Sequence, residues 1–246
     1  MSSTPALESR PQHPAVTAPP LLRGEVHVWT ATLDLDGVGR RDAEALLSEA
    51  ERERAQRVVS ERSRLRLIAA RAQLRRILGA YLGVAPARVA LATDRQGKPF
   101  AVHPAELQFN LSHSDDRALF ALTAGPPVGV DVERDRDVRR LDVVARRTLP
   151  AARHAELAAL PSAPRRAAVL RAWTRREALL KGLGTGLGAE APVADVGPLA
   201  RRGRFSVELA GGEVWTVEDL VLEYGVTAAV AAPGTHWRVR RLGPHP

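Results

Sequence analysis

Two hydrophobic periods alternate along the chain. Residues 25–32 (EVHVWTAT) set Val26, Val28 and Thr30 against His27 and Trp29, the period of two that predicts a strand. Residues 42–59 and 63–82 follow with helical spacing, the second placing Leu67, Ala70, Leu74, Ile77, Leu78 and Tyr81 on one stripe and dense Arg on the other. Gly83 and Pro86 end that helix; a short strand at 88–92 and a turn at 94–99 come next. Strands are predicted at 107–112, 117–123 and 128–133, then helix from 138 to 181 broken at Pro150 and near 161–164. A second set of strands, 204–210, 214–220, 225–232 and 237–240, closes the pattern. The order of strand, helices and strands, then helices and strands again, predicts an α+β protein of two similar halves, each a small, mainly antiparallel sheet packed with helices. The halves span residues 23–126 and 127–241, with a flexible Pro/Ser-rich tail over 1–22 and a short tail over 242–246.

Composition removes whole classes of function. A content of 45% hydrophobic and 26% charged residues is that of an ordinary folded domain, and no apolar run approaches a membrane span. With no signal-type apolar block near the start, a cytoplasmic protein is expected. The absence of cysteine excludes disulfides, thiolate nucleophiles and Cys-ligated metals, so any metal must take oxygen or imidazole ligands. A net charge of +8 predicts an anionic partner without saying which. Of 36 basic residues only Lys98 and Lys181 are Lys, and Asn110 is the sole Asn. Arg replaces Lys freely on a solvated face but not where a compact ammonium meets a phosphate, which draws attention to both lysines.

Candidate chemistry gathers in four places. In 129–133 (GVDVE), Asp131 and Glu133 share one face of a strand at i and i+2. In 173–181 (WTRREALLK), Trp173, Glu177 and Lys181 form one helical stripe. If that helix crosses that strand, three carboxylates converge into an all-oxygen set suited to Mg²⁺, with Lys181 facing the same phosphates. The bland reading is a solvated strand end and a surface helix pair. The turn 96–99 (QGKP) joins close backbone approach at Gly97 to the ammonium of Lys98. In 109–114 (FNLSHS), Asn110 and Ser112 share a strand face; Ser112 and His113 point oppositely, which argues against a Ser/His/Asp triad.

GKP, FNLSHS, GVDVE and WTRREALLK, in that order, together with 53–57 (ERAQR) and the Arg-rich helix through Arg75, resemble the successive motifs of the Sfp-type 4′-phosphopantetheinyl transferases over residues 25–232. The resemblance implies a pseudo-twofold arrangement of the two halves. It also implies transfer of 4′-phosphopantetheine from coenzyme A to a serine of an apo acyl, peptidyl or polyketide carrier protein, with release of adenosine 3′,5′-bisphosphate. Asp131, Glu133 and Glu177 match the acidic residues that hold Mg²⁺ on the diphosphate, and Lys181 matches the lysine at the reacting phosphate. Lys98, Gly97, Arg54, Asn110, Ser112 and His113 match positions around the coenzyme A nucleotide; Glu177, directly or through a metal-bound water, is the candidate base. The family usually reads Lys-Glu where this chain has Arg176-Glu177. A monomer is expected, because two halves in one chain supply a whole site. The competing readings are a basic nucleic-acid-binding protein, disfavoured by 4% aromatics and interspersed acidic residues, and a non-catalytic coenzyme A binder or nucleotide hydrolase on the same fold.

Overall fold

A computed structural model describes residues 16–94, 98–103, 106–135, 141–185 and 195–243. Most of the predicted N-terminal tail, the start of the helical run at 138 and Gly97 therefore lie outside the described residues. The chain divides into two compact units, one built on Leu33–Val89 and one on Pro20–Thr32 with Ala90–Pro244.

The first unit is helical: α1 (Gly37–Leu46), α2 (Glu49–Gln56) and α3 (Glu61–Leu82). The single helix expected over 42–59 is two, because Ser48 starts a new one. Its hydroxyl accepts from Glu51 N while the Glu51 side chain accepts from Ser48 N, a reciprocal cap that satisfies two orphan donors. Ala43, Leu47, Ala55, Ile68 and Ala72 form the core. The buried Arg75 ties α3 to α2 through Glu51 (2.7 Å) and to the backbone at Val89 (3.0 Å).

The second unit holds two four-stranded sheets. Its strands are β1 (Glu25–Thr32), β4 (Leu107–Ser114), β5 (Arg117–Ala124), β6 (Gly129–Arg134), β7 (Arg204–Glu208), β8 (Val214–Leu220), β9 (Val226–Pro233) and β10 (Arg238–Leu242). A separate hairpin joins β2 (Leu91–Thr93) to β3 (Pro99–Ala101). The first sheet runs β10-β1-β5-β4, the second β6-β9-β8-β7. In each, the opening strand pairs antiparallel with a later strand of its own half, which pairs with the one before it (β1-β5-β4, β6-β9-β8). Each half also carries a 22-residue helix ended by a left-handed glycine, Gly83 after α3 and Gly184 after α6 (Ser162–Leu183). The repeat is one of topology, without sequence similarity.

Three readings of the strands change, the first being that the strand expected at 88–92 is confined to β2, with Pro86–Arg88 forming a single 3₁₀ turn. The 237–240 strand, grouped by sequence order with the second set, pairs parallel with β1, where Arg238 binds Glu25 at 2.7 Å. β1, flanked by β10 and β5, is also buried on both faces: His27 and Trp29 are as enclosed as Val26 and Val28. The helical region separates into α4 (Leu141–Thr148), α5 (Ala151–Ala159) and α6. Pro164 belongs to the first turn of α6, where its missing N–H costs nothing, and the break falls at Leu160 and Pro161.

Strand alternation sets which residues meet α6. Val130 and Val132 of β6 and Ala228 and Val230 of β9 pack with Val26, Val28, Leu119 and Ala121 of the first sheet. The opposite face of the second sheet, with Ala229, Ala231, Val217 and Trp215, packs under Ala168, Val169, Ala172 and Leu179 of α6. Gly129, Asp131 and Glu133 share the period of that second face. An added Cβ on Gly129 would lie 1.9 Å from the Ala178 carbonyl and 2.3 Å from Gly182 N, so helix and strand backbones touch there with no side chain between.

Candidate active site

That contact delivers two residues of α6 onto β6. Glu177 and Lys181, one turn apart, flank Ala178, whose carbonyl rests on Gly129, and they face Asp131 one alternation further along the strand. The Lys181 ammonium donates to Asp131 Oδ1 at 2.6 Å and to Ser112 Oγ at 2.8 Å, and Ser112 donates in turn to the same Oδ1 at 2.8 Å. Asp131 is 3% exposed, and its Oδ2 finds no hydrogen-bond partner among the described residues. Burial pushes its carboxyl above the ordinary range, against the pull of Lys181 and Ser112. Glu177, also 3% exposed, is raised first by burial and then by the Asp131 charge, with Lys181 and Arg176 pulling the other way. Arg176 places its guanidinium 3.7 Å from Glu177, as a cation against the carboxylate.

Lys98, at the start of β3, reaches the same corner: its ammonium donates to the Lys181 carbonyl at 2.8 Å, and burial lowers its pKa. Asn110 accepts from Val130 N at 3.0 Å, so the sole asparagine joins β4 to β6 beside Asp131. Ser112, Asp131, Lys181, Lys98, Glu177 and Asn110 are thus brought together in the second unit. Glu133 is held by Ser114, whose hydroxyl donates to Oε2 at 2.9 Å. His113 lies on the opposite, exposed face of β4 from Asn110 and Ser112. Arg54 is exposed in the last turn of α2, in the other unit. Ser114 was not among the residues singled out from sequence; the signal was present, since it continues the period of Asn110 and Ser112 on one face.

Among the described residues, no three or more acidic or imidazole side chains are close enough together to hold a metal ion as they stand. The donors nevertheless fit a hard divalent cation. They are all oxygen, one carboxylate oxygen is buried without a partner, and Glu177, raised first by burial, also feels the charge of Asp131. Such an ion takes its remaining ligands from water or phosphate oxygens.

Comparison with known proteins places the chain in a family. Residues 41–125 match the family model for the N-terminal part of 4′-phosphopantetheinyl transferase, and residues 127–229 that of the 4′-phosphopantetheinyl transferase superfamily. The 4′-phosphopantetheinyl transferase HetI of a Nostoc species is 34% identical over 92% of this chain and 97% of its own length. A phosphopantetheinyl transferase of a Thraustochytrium species is 30% identical over 61% of this chain and 56% of its own. The 4′-phosphopantetheinyl transferase psf-1 of Bacillus pumilus is 28% identical over 53% and 57%. The chain belongs to the 4′-phosphopantetheinyl transferase superfamily and is an enzyme of that class. No helix among its described residues is long and apolar enough to cross a membrane.

Proposed function

We propose that the enzyme moves 4′-phosphopantetheine from coenzyme A to a serine of an apo acyl, peptidyl or polyketide carrier protein, with Mg²⁺, and releases adenosine 3′,5′-bisphosphate. The observation that carries this reading is the meeting of Asp131, Lys181 and Glu177: an ammonium 2.6 Å from a buried carboxylate, beside a second carboxylate pushed up by burial. Phosphoryl transfer asks little covalent chemistry of a protein and is accelerated by positioning and charge stabilisation. Asp131, Glu133 and Glu177 would hold Mg²⁺, which when bound would supply Lewis acidity toward the diphosphate.

The chain's own groups account for the rest. Lys181 offers its ammonium to the phosphate oxygens where charge gathers. Glu177 takes the proton of the carrier serine as the serine oxygen bonds to the β-phosphorus and the bond to the nucleotide breaks; a raised pKa suits a group that must end protonated. The nucleophile belongs to the partner, which explains why the chain needs no Ser or Cys constellation of its own. Lys98, Gly97, Asn110 and Ser112 are assigned to the coenzyme A nucleotide; Arg54, in the helical unit, and His113, on the other face of β4, are separate candidates for anion contacts. A net charge of +8 favours docking of an acidic carrier surface. Because all these residues come from one chain, the working form is read as a cytoplasmic monomer.

The test is intact-protein mass spectrometry of an apo carrier domain incubated with the enzyme and coenzyme A, with Mg²⁺ or with excess EDTA. A gain of one phosphopantetheine arm only with enzyme, coenzyme A and Mg²⁺ together supports the reading. No gain on acyl, peptidyl and polyketide carriers alike overturns it.

A further inference from the structure

β4 and β6 end different sheets, yet they lie side by side, and side chains join them where a backbone ladder would otherwise run. Three alternate residues of β4 make the seam: Asn110 accepts from Val130 N, Ser112 donates to Asp131, and Ser114 donates to Glu133. All three are buried, at 7%, 7% and 3% exposure, so each polar group must find a partner or lose its hydration uncompensated. Ser114 is the most constrained. Its oxygen accepts from Arg134 N at 3.2 Å, which directs its one hydrogen away from the backbone and onto Glu133 Oε2 at 2.9 Å.

We infer that Ser114 is a positioning residue for the reaction: it fixes the Glu133 carboxylate toward the cation position, as Ser112 fixes Asp131. A glutamate on a strand end has three rotatable side-chain bonds, and a cation held by it loses affinity in proportion to the conformers that point elsewhere. The Ser112 bond has the matching consequence for Asp131. With Oδ1 taken by Ser112 and Lys181, Oδ2 is left as the oxygen for a cation. The two serines thus act alike on the two carboxylates of the GVDVE strand, and neither does covalent chemistry.

The inference rests on the proposed role of Glu133, and the test separates the two. Mn²⁺ is titrated into the whole enzyme with coenzyme A present, following the free-ion signal by electron paramagnetic resonance, for wild type, Ser114→Ala, Glu133→Gln and Thr123→Ala. Thr123 is another buried hydroxyl of the first sheet, bonded to the Pro126 carbonyl, and serves as the control for losing one such bond. Ser114→Ala should weaken Mn²⁺ about tenfold, with KM for coenzyme A at saturating Mn²⁺ unchanged and thermal stability no worse than in Thr123→Ala. Unchanged Mn²⁺ affinity in Ser114→Ala alongside weakened affinity in Glu133→Gln overturns the positioning role and leaves Glu133 at the cation. Unchanged affinity in both removes Glu133 from the cation site and the inference with it. Equal weakening in Thr123→Ala shows general loosening and also overturns it.

Discussion

Replacing Gly129 with alanine tests the contact on which the site depends. The added Cβ would sit 1.9 Å from the Ala178 carbonyl, whereas real Cβ atoms essentially never come under 3.0 Å, so α6 must withdraw from β6 by about 1.1 Å. The obstructing atoms are backbone at Ala178 and Gly182, and Gly182 is itself backed by Trp215, so no side chain can swing aside. Overpacking of this kind costs about 1–3 kcal/mol. At about 2–4 °C per kcal/mol for a chain of this size, the melting temperature should fall by roughly 2–12 °C. The same withdrawal stretches the 2.6 Å Lys181 to Asp131 contact beyond hydrogen-bond range. A misplacement of about 1 Å at a reacting centre lowers kcat by about a hundredfold. The assay pairs calorimetry with initial rates of carrier modification at saturating coenzyme A. Val217→Ala, which opens a cavity in the same core without pushing on α6, is the stability-matched control. Wild-type kcat in Gly129→Ala, or an equal kcat loss in Val217→Ala, refutes the reasoning.

Glu177→Gln keeps the side chain's shape and removes both its charge and its ability to take a proton. Transfer should drop by about two to four orders of magnitude with little change in melting temperature, and near wild-type turnover removes Glu177 from the mechanism. Asp219→Ala strands Arg175, which is fully buried and held by Asp219 at 2.6 Å and by the Pro198 and Arg201 carbonyls; a loss of about 3–5 kcal/mol in chemical denaturation is expected, and a loss below about 1 kcal/mol contradicts it. Stability should fall with acid in two stages, read as melting temperature against pH. His27 is lowered from 6.5 by burial, so the unfolded chain binds its proton first, and His27's contribution, present above pH 6.5, is lost as pH falls below that value. Glu25 is lowered from 4.5 to about 2 by Arg238 and then by His27, so its contribution is present above pH 4.5 and lost as pH falls through about 2. A melting temperature flat from pH 7 to pH 4 contradicts the first stage, and an unchanged acid limb in Glu25→Gln contradicts the second.

Much of this enzyme is written in local pattern. Periods of two and 3.6 located nearly every strand and helix, because alternation and helical spacing are properties of a dozen residues at a time. The scarcity of lysine and asparagine singled out Lys98, Lys181 and Asn110, and the tertiary structure brings these three to one corner. A capping serine split one expected helix into two, a local signal that periodicity alone overlooked. Only the folded chain decided the rest. The pairing of β10 with β1 joins residues 213 positions apart, and no neighbouring residue encodes a parallel partner at that distance. The burial of His27 reflects packing on both faces of β1, which alternation within eight residues does not encode. Which carboxylate oxygen is taken and which is left depends on a strand edge and a helix meeting at Gly129, where the absence of a side chain in the sequence becomes a contact between backbones. Sequence names the groups that a reaction needs; the distances that make them act together arise from packing between elements far apart in the chain.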